Sequence, residues 1–278
     1  MITLNEKEKQ ARQKICLPLD NLYTLRDLQE RVEEQSPYVG MFKIGKGSFT
    51  RFGSKAVASV LASGSEVFLD LKYHDIPNTV EDAAYAAAEL GVSLFNVHAS
   101  GGVEMMNAAV KGAKQGAEAA GHPVPKIVGV TVLTSFDVYS YLQTFQPLTV
   151  LRDFNFDADQ EDVRKILEQH SLLDVIQKQV LHLAKLSYHA GLDGIVSSAE
   201  DLFGIRDQLP SGFFYVTPGI KGVSTSAGKD QKRIMTPGNA IDAGSSLLVV
   251  GRAITDKKTA EERQQAAYEI VQDVAQHL

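Results

Sequence analysis

Eight short apolar runs, each ending in a polar residue or turn and most followed by a helix-like stretch, dominate this chain. In order they are Ile15–Asp20, Met41–Gly45, Val67–Lys72, Ser93–His98, Ile127–Thr134, Asp193–Ser198, Phe213–Thr217 and Leu247–Arg252. Most are apolar throughout rather than alternating, the pattern of parallel strands covered on both faces. Between them, Thr24–Glu34, Val80–Leu90, Val103–Lys114 and Ala199–Gln208 read as helices. Thr79, just after Pro77, reads as the cap of the second helix, and Gly91 as its left-handed end. Eightfold strand–helix alternation predicts an α/β fold, a (β/α)8 barrel forming a single domain over residues 1–278. A doubly wound open sheet has the same local periodicity and is the structural alternative.

Composition narrows the class. At about 150 residues per domain, a chain of 278 residues could form two domains, but α/β barrels of this size fold as one. Lys and Arg number 28 against 34 Asp and Glu, a net charge of −6, which argues against a nucleic-acid binder with a basic face. No apolar run approaches the roughly 20 residues of a membrane span. Met1–Lys14 is polar and lacks the apolar stretch of a signal peptide, so the cytoplasm is the expected address. The lone cysteine, Cys16, has no partner for an internal disulfide or a cysteine metal cluster and reads as a small buried hydrophobe.

One connection is too long. Most neighbouring strands start roughly 25 to 35 residues apart, about one βαβ repeat, yet strand five ends near Thr134 and strand six begins near Asp193. Residues of about 136–170 therefore read as an inserted segment. Within it, Gln146–Asp162 mixes Pro147, aromatics and acids, and Asp162–His170 reads as helical. Surface decoration is the plain interpretation, because loops absorb insertions at little cost; a lid or partner-binding element is the sharper one.

In a barrel, polar residues at the C-terminal ends of strands face the active site. Here these are Asp20, Lys43, Asp70, Lys72, Asn96, His98, Thr131, Thr134, Ser197, Thr217 and Arg252. Asp70 and Lys72 lie two apart and share one strand face; Asp75 follows three residues later, and Lys43 can join from the neighbouring strand. Alternating carboxylates and ammoniums hold one another ionised. The alternative is solvated rim charges of little energetic weight. A second constellation closes the chain. Gly251 lets a backbone N–H approach a phosphate and Arg252 can grip it with a two-pronged contact, and loops after strands seven and eight are the recurring phosphate site of such barrels. Thr217-Pro218-Gly219-Ile220-Lys221 and the Gly/Ser/Thr-rich stretch to Gln231-Lys232-Arg233 read as a mobile anionic-ligand loop. His74 and His98 have no companions at metal-ligand spacing and read as structural.

Phe68-Leu69-Asp70-Leu71-Lys72-Tyr73-His74-Asp75-Ile76-Pro77-Asn78-Thr79 resembles the signature of the bacterial orotidine 5′-phosphate decarboxylase family. The resemblance extends, in the family's order, through Phe42–Lys46, Asn96–Gly102, Val132–Ser135, Val216–Ile220 and Val250–Arg252. It implies a (β/α)8 barrel without metal or cofactor, a homodimer with a composite active site, and conversion of orotidine 5′-phosphate to uridine 5′-phosphate and CO2. By motif, Lys72 would protonate C6 of the pyrimidine, Asp70 would face the departing carboxylate, and Lys43 and Asp75 would complete the charged network. Asp20 and Lys43 would bind the ribose with Thr79 nearby, Thr134 and Ser135 would face the pyrimidine, and Lys221, Gln231, Gly251 and Arg252 would hold the phosphate. Asp75 would cross to the neighbouring subunit's site. Departures are Lys221 where the family has arginine, a longer stretch to Gln231, Pro18 in the first strand, and the insertion. The rival is a related Mg²⁺-dependent barrel enzyme acting on a sugar phosphate, which Ile76-Pro77-Asn78-Thr79 disfavours; a barrel that only binds nucleotides or a protein is disfavoured by intact Asp70, Lys72 and Asp75.

Overall fold

The structure, a computed structural model, describes residues 3–142, 144, 174–222 and 235–278. Eight parallel strands close into a barrel in sequence order. They are β1 (Ile15–Pro18), β2 (Met41–Gly45), β3 (Glu66–Tyr73), β4 (Leu94–His98), β5 (Lys126–Val130), β6 (Gly194–Val196), β7 (Phe214–Thr217) and β8 (Leu247–Val249). The ring is sealed where Ile15 pairs with Leu248 and Cys16 with Val249. The open-sheet alternative is excluded by that pairing.

Why continuous apolar runs suit this fold follows from the two-residue strand period. Cys16, Met41, Phe68, Leu94, Val128, Val216, Leu247 and Val249 point inward and fill the barrel. Their neighbours, among them Leu17, Phe42, Leu69, Phe95, Ile127, Ile195 and Leu248, point outward against the helices in the main core. Both faces are dry, so neither can alternate with polar residues. Cys16 is fully buried, as its place in the first run predicts, and that burial pushes its thiol pKa strongly up.

The surrounding helices include α1 (Glu6–Gln13), α2 (Leu25–Gln35), α3 (Lys46–Phe52), α4 (Ser54–Leu61), α5 (Pro77–Glu89), α6 (Gly102–Ala120) and α7 (Val138–Leu142). After the undescribed stretch come α8 (Val175–His189), α9 (Ala199–Ile205), α10 (Pro237–Asp242), α11 (Arg252–Thr255) and α12 (Ala260–Gln276). Thr24 caps α2 as its side chain accepts from the Asp27 N–H. Thr79 does not cap α5. That helix begins two residues earlier, at Pro77, with Ile76 in the cap position and no side-chain cap bond. Proline at the first helical position has its φ preset and no N–H to satisfy, so it displaces the start towards itself. Gly91 closes the helix at φ +74° as expected.

Four strands stop short of their apolar runs. β1 ends at Pro18, β5 at Val130, β6 at Val196 and β8 at Val249. The polar residues beyond them therefore sit on loops at the barrel mouth or, for Arg252, on the first turn of a helix. The expected insertion begins with α7, whose start is tied by Asp137 accepting from the Ser140 N–H at 2.8 Å. Gln146–Asp162 and the helix expected over Asp162–His170 lie outside the described residues. No helix among the described residues is long and apolar enough to cross a membrane.

Candidate active site

Inward-facing positions change character along the strands. Moving towards the C-terminal end, Met41 gives way to Lys43, Phe68 to Asp70 and then Lys72, and Leu94 to Asn96. Register sets these at one height: Leu69 pairs with Phe95, and Gly45 pairs with Asp70. Lys43 Nζ lies 3.1 Å from Asp70 Oδ2 and 3.4 Å from Asp20 Oδ2. Lys72 Nζ pairs with the other oxygen, Asp70 Oδ1. Asp70, 8% exposed, is thus clamped between two ammoniums.

Burial alone would push the Asp70 carboxyl up, but Lys43 and Lys72 outweigh it and hold its pKa below the ordinary carboxylate value. For Lys43 burial acts downward, and the charges of Asp70 and Asp20 overcome it to raise the ammonium above its usual range. Both groups stay ionised at neutral pH. Lys72 adopts φ +52°, a left-handed conformation uncommon for a residue with a side chain, where the β3–β4 register shifts between Leu69 and Tyr73. Local strain of this kind concentrates at functional sites.

Gly45 and Asn96 make the arrangement possible; the sequence places Asn96 among the polar strand ends at the mouth without showing what it contacts, and does not mark Gly45. A Cβ on Gly45 would stand 3.0 Å from Asp20 Oδ1 and 3.1 Å from Lys43 Nζ, so glycine leaves the space this ion pair occupies. Asn96, 1% exposed, donates to Asp70 Oδ1 at 2.7 Å and accepts the Lys72 backbone N–H at 2.8 Å. The available signal was positional: Asn96 is the inward residue level with Asp70 on the next strand.

Above this charged floor is a cavity of about 210 Å³, walled by Val130, Val132, Val196, Val216 and Val249, with Thr134 and Ser135 along one side. A second cavity, of about 460 Å³, opens between Asp20, Asn21, Arg31, Gly251 and Arg252. The Asp20–Lys43 pair stands between them. A Cβ on Gly251 would come within 3.1 Å of Pro18 Cγ, so the glycine at the end of β8 and the proline at the end of β1 fit one another. The Lys221 N–H bonds the Met235 carbonyl at 3.0 Å, and Ile220 bridges to Met235, so Lys221 and Met235 are held side by side. Gln231, with Lys232 and Arg233, lies outside the described residues.

Other predicted positions separate from this group. Asp75 is exposed; its carboxylate accepts the Ile76 N–H at 2.7 Å and forms no ion pair with its own Lys72 among the described residues. Ile76 is 66% exposed, and Thr79 is exposed one turn along. Thr131 bonds the Val196 carbonyl at 2.9 Å and Thr217 the Ser245 hydroxyl at 2.6 Å, so both serve the barrel wall. His98 lies against His74, ring centroids 5.2 Å apart; burial, then His74, Lys72 and Lys46, lower its pKa to about 4 and keep it neutral. Among the described residues there is no group of three or more His, Cys, Asp or Glu placed to hold a metal ion.

A closed (β/α)8 barrel with an ion-paired Lys–Asp–Lys group at its C-terminal mouth has the build of a barrel enzyme with its active site at that end. The chain belongs to the orotidine 5′-phosphate decarboxylase / HUMPS family, whose model matches residues 13–154 and 157–268. It is 40% identical over 277 residues to an orotidine 5′-phosphate decarboxylase of Syntrophus aciditrophicus, covering 100% of this chain and 99% of that one. It is 43% identical over 248 residues to the enzyme so named from Pseudoalteromonas translucida, 89% of this chain and 92% of that one. Its fold matches a crystal structure of orotidine 5′-phosphate decarboxylase from Lactobacillus acidophilus with a TM-score of 0.71 at 30% identity, over 94% of this chain and 99% of that one.

Proposed function

We propose that the protein is a carboxy-lyase that converts orotidine 5′-phosphate to uridine 5′-phosphate and CO2, the last step of de novo pyrimidine synthesis. The observation that carries this reading is Asp70 held ionised between Lys43 and Lys72 beneath a mostly apolar cavity. Loss of CO2 leaves the electron pair of the broken bond on C6, in an orbital outside the ring π-system, where the ring offers no ordinary sink. An ammonium fixed beside that carbon stabilises the charge as it develops, and does so best where water is excluded. Lys72 then gives its proton to C6 and recovers one from solvent, while Asp70 lies against the departing carboxylate. No cofactor enters this scheme.

Ribose hydroxyls fit Asp20 and Lys43, at the junction of the two cavities, and the pyrimidine fits beside Thr134 and Ser135. The phosphate falls to Gly251, Arg252 and Lys221, with Gln231, which lies between them in sequence. Lys221 meets it as a point charge, not as a planar fork. With −6 on the whole chain, attraction of the anionic substrate is local to these cations. Asp75 and Thr79 complete the site from a second subunit of a homodimer; their exposure and the absence of an Asp75–Lys72 contact within one chain support that reading.

Following the ultraviolet absorbance of orotidine 5′-phosphate with purified protein tests the activity directly. Steady conversion to uridine 5′-phosphate in excess EDTA is the expected result. Turnover lost in EDTA and restored by Mg²⁺ would favour the sugar-phosphate alternative instead.

A further inference from the structure

We infer that Asn96 is a positioning residue that sets the backbone of Lys72 and one oxygen of Asp70, and thereby aims the Lys72 ammonium. The inference rests on the decarboxylase reading for its kinetic consequences. Its warrant is the double contact of a single buried amide. Asn96 Oδ1 takes the Lys72 N–H at 2.8 Å, and Asn96 Nδ2 gives a hydrogen to Asp70 Oδ1 at 2.7 Å. The orientation of that amide has only one solution, because flipping it would aim a carbonyl at a carboxylate and an NH2 at an N–H. Asp70 Oδ1 is also the oxygen that meets Lys72 Nζ. Backbone nitrogen, amide, carboxylate and ammonium thus close a ring.

That ring solves a local problem. At the register shift between Leu69 and Tyr73, β3 leaves the regular ladder, and Lys72 turns left-handed at φ +52°. Its N–H needs an acceptor that β4 can supply only through a side chain, since an unpaired buried donor is costly. A serine at position 96 is too short to span both contacts. A leucine would offer neither. An aspartate would keep the acceptor but set a second carboxylate against Asp70. Asparagine supplies an acceptor and a donor in one plane and stays neutral at every pH, so it steadies Asp70 without weakening its pairing with the two lysines.

The decisive variants are Asn96→Ala and Asn96→Asp. For Asn96→Ala, kcat should fall by roughly ten- to a hundredfold, the scale of a misplaced reacting group, with the KM and the Kd for uridine 5′-phosphate changed by no more than about twofold. For Asn96→Asp, the pH profile is the readout that a purely structural role would not move. Protonated, the new carboxyl reproduces the amide, donating to Asp70 and accepting from Lys72. Ionised, it repels Asp70. Activity should therefore fall as pH rises through the pKa of the new group, raised by Asp70, while the wild type stays level there. The other groups facing position 96 are Lys72 on β3 and, through Asp70, Lys43 on β2; Val128 on β5 is apolar, and His74 and His98 are common to both proteins. Parallel profiles, or an Asn96→Ala enzyme with wild-type kcat, would overturn the inference. A crystal structure of either variant decides it without activity: Lys72 should leave the left-handed region in Asn96→Ala and keep it in Asn96→Asp at low pH. Retention in both overturns the inference. Should the wild type fail to act on orotidine 5′-phosphate, the function fails, and the structural arm still judges Asn96.

Discussion

The two sides of the barrel mouth are built on different plans. Around β2, β3 and β4, Lys43, Asp70, Lys72 and Asn96 are locked to one another by ion pairs and hydrogen bonds within the single chain. Around β1 and β8, Asp20, Arg31, Gly251 and Arg252 line a second, larger cavity, and Lys221 follows β7 with its N–H bonded to the Met235 carbonyl. The chemical half is preorganised before substrate arrives. On the proposed reading, a phosphate held by the second group would contribute binding energy far from the reacting carbon. A charged cluster that already satisfies itself costs little reorganisation during the reaction, which is the condition for electrostatic catalysis.

Lys72→Ala tests this division most severely. It should lower kcat by more than about a hundredfold, over ~3 kcal/mol of barrier, while uridine 5′-phosphate still binds in calorimetry. Retention of more than about a hundredth of wild-type kcat would remove Lys72 from the centre of the reaction.

Next comes Asp75, which belongs to neither half of its own chain. Lys72→Ala and Asp75→Asn proteins, each inactive, are mixed under conditions of subunit exchange. In a hybrid dimer with shared sites, one site carries both lesions and the other none, so random pairing restores roughly a quarter of wild-type turnover when the sites act independently. Confirmed exchange with no recovered turnover would rule out the shared site.

On the open side, Arg252→Ala should act mainly through binding. A fall in kcat/KM of roughly ten- to a hundredfold, with KM rising, matches loss of one charge-assisted contact of about 1.5–3 kcal/mol. Phosphite should partly rescue turnover of a substrate truncated at the phosphate. Unchanged kinetics would place the phosphate elsewhere.

Acid should act first on the interlocked side. His98 has a folded pKa of about 4 against 6.5 for the free side chain, so the unfolded chain binds more protons between these values. Its contribution to stability is complete above about pH 6.5 and is lost as pH falls towards 4. Asp70, also depressed, loses its contribution only below its unfolded value of 3.8. Urea midpoints measured from pH 7 to 4 should therefore decline, and the decline should flatten in His98→Asn but not in Arg252→Ala. Equal slopes in all three would sink this assignment.

The smallest effect is expected at Gly45. The atoms that an added methyl would crowd are the ends of the Asp20 and Lys43 side chains, which can swing away, so Gly45→Ala should change stability by less than about 1.5 kcal/mol. A several-fold fall in kcat/KM would accompany it as the Asp20–Lys43 pair opens. Wild-type kinetics would show that this pair has more freedom than the structure displays.

Much of this architecture was legible in the residues alone. Eight apolar runs specify a strand covered on both faces, because a single polar position in either layer would bury an unpaired group. The same arithmetic placed Lys43, Asp70 and Lys72 inward at the mouth, since a period of two carries the interior face of each strand to its polar end. Strand ends were less legible. Thr134 and Arg252 follow apolar runs without a break, and only ladder hydrogen bonds decide that β5 stops at Val130 and β8 at Val249. The start of α5 is hidden in the sequence because Thr79 carries a capping side chain, whereas Pro77 opens the helix without one.

What the sequence determined by itself was the identity and order of the charged groups and the dry strands that hold them. What only the tertiary structure decided was their registration. The reach of Asn96 to the Lys72 backbone, the left-handed turn at Lys72 and the gap at Gly45 all depend on the stagger between neighbouring strands. That stagger is set by closure of the whole barrel, where the last strand must meet the first, and no local stretch of residues encodes it.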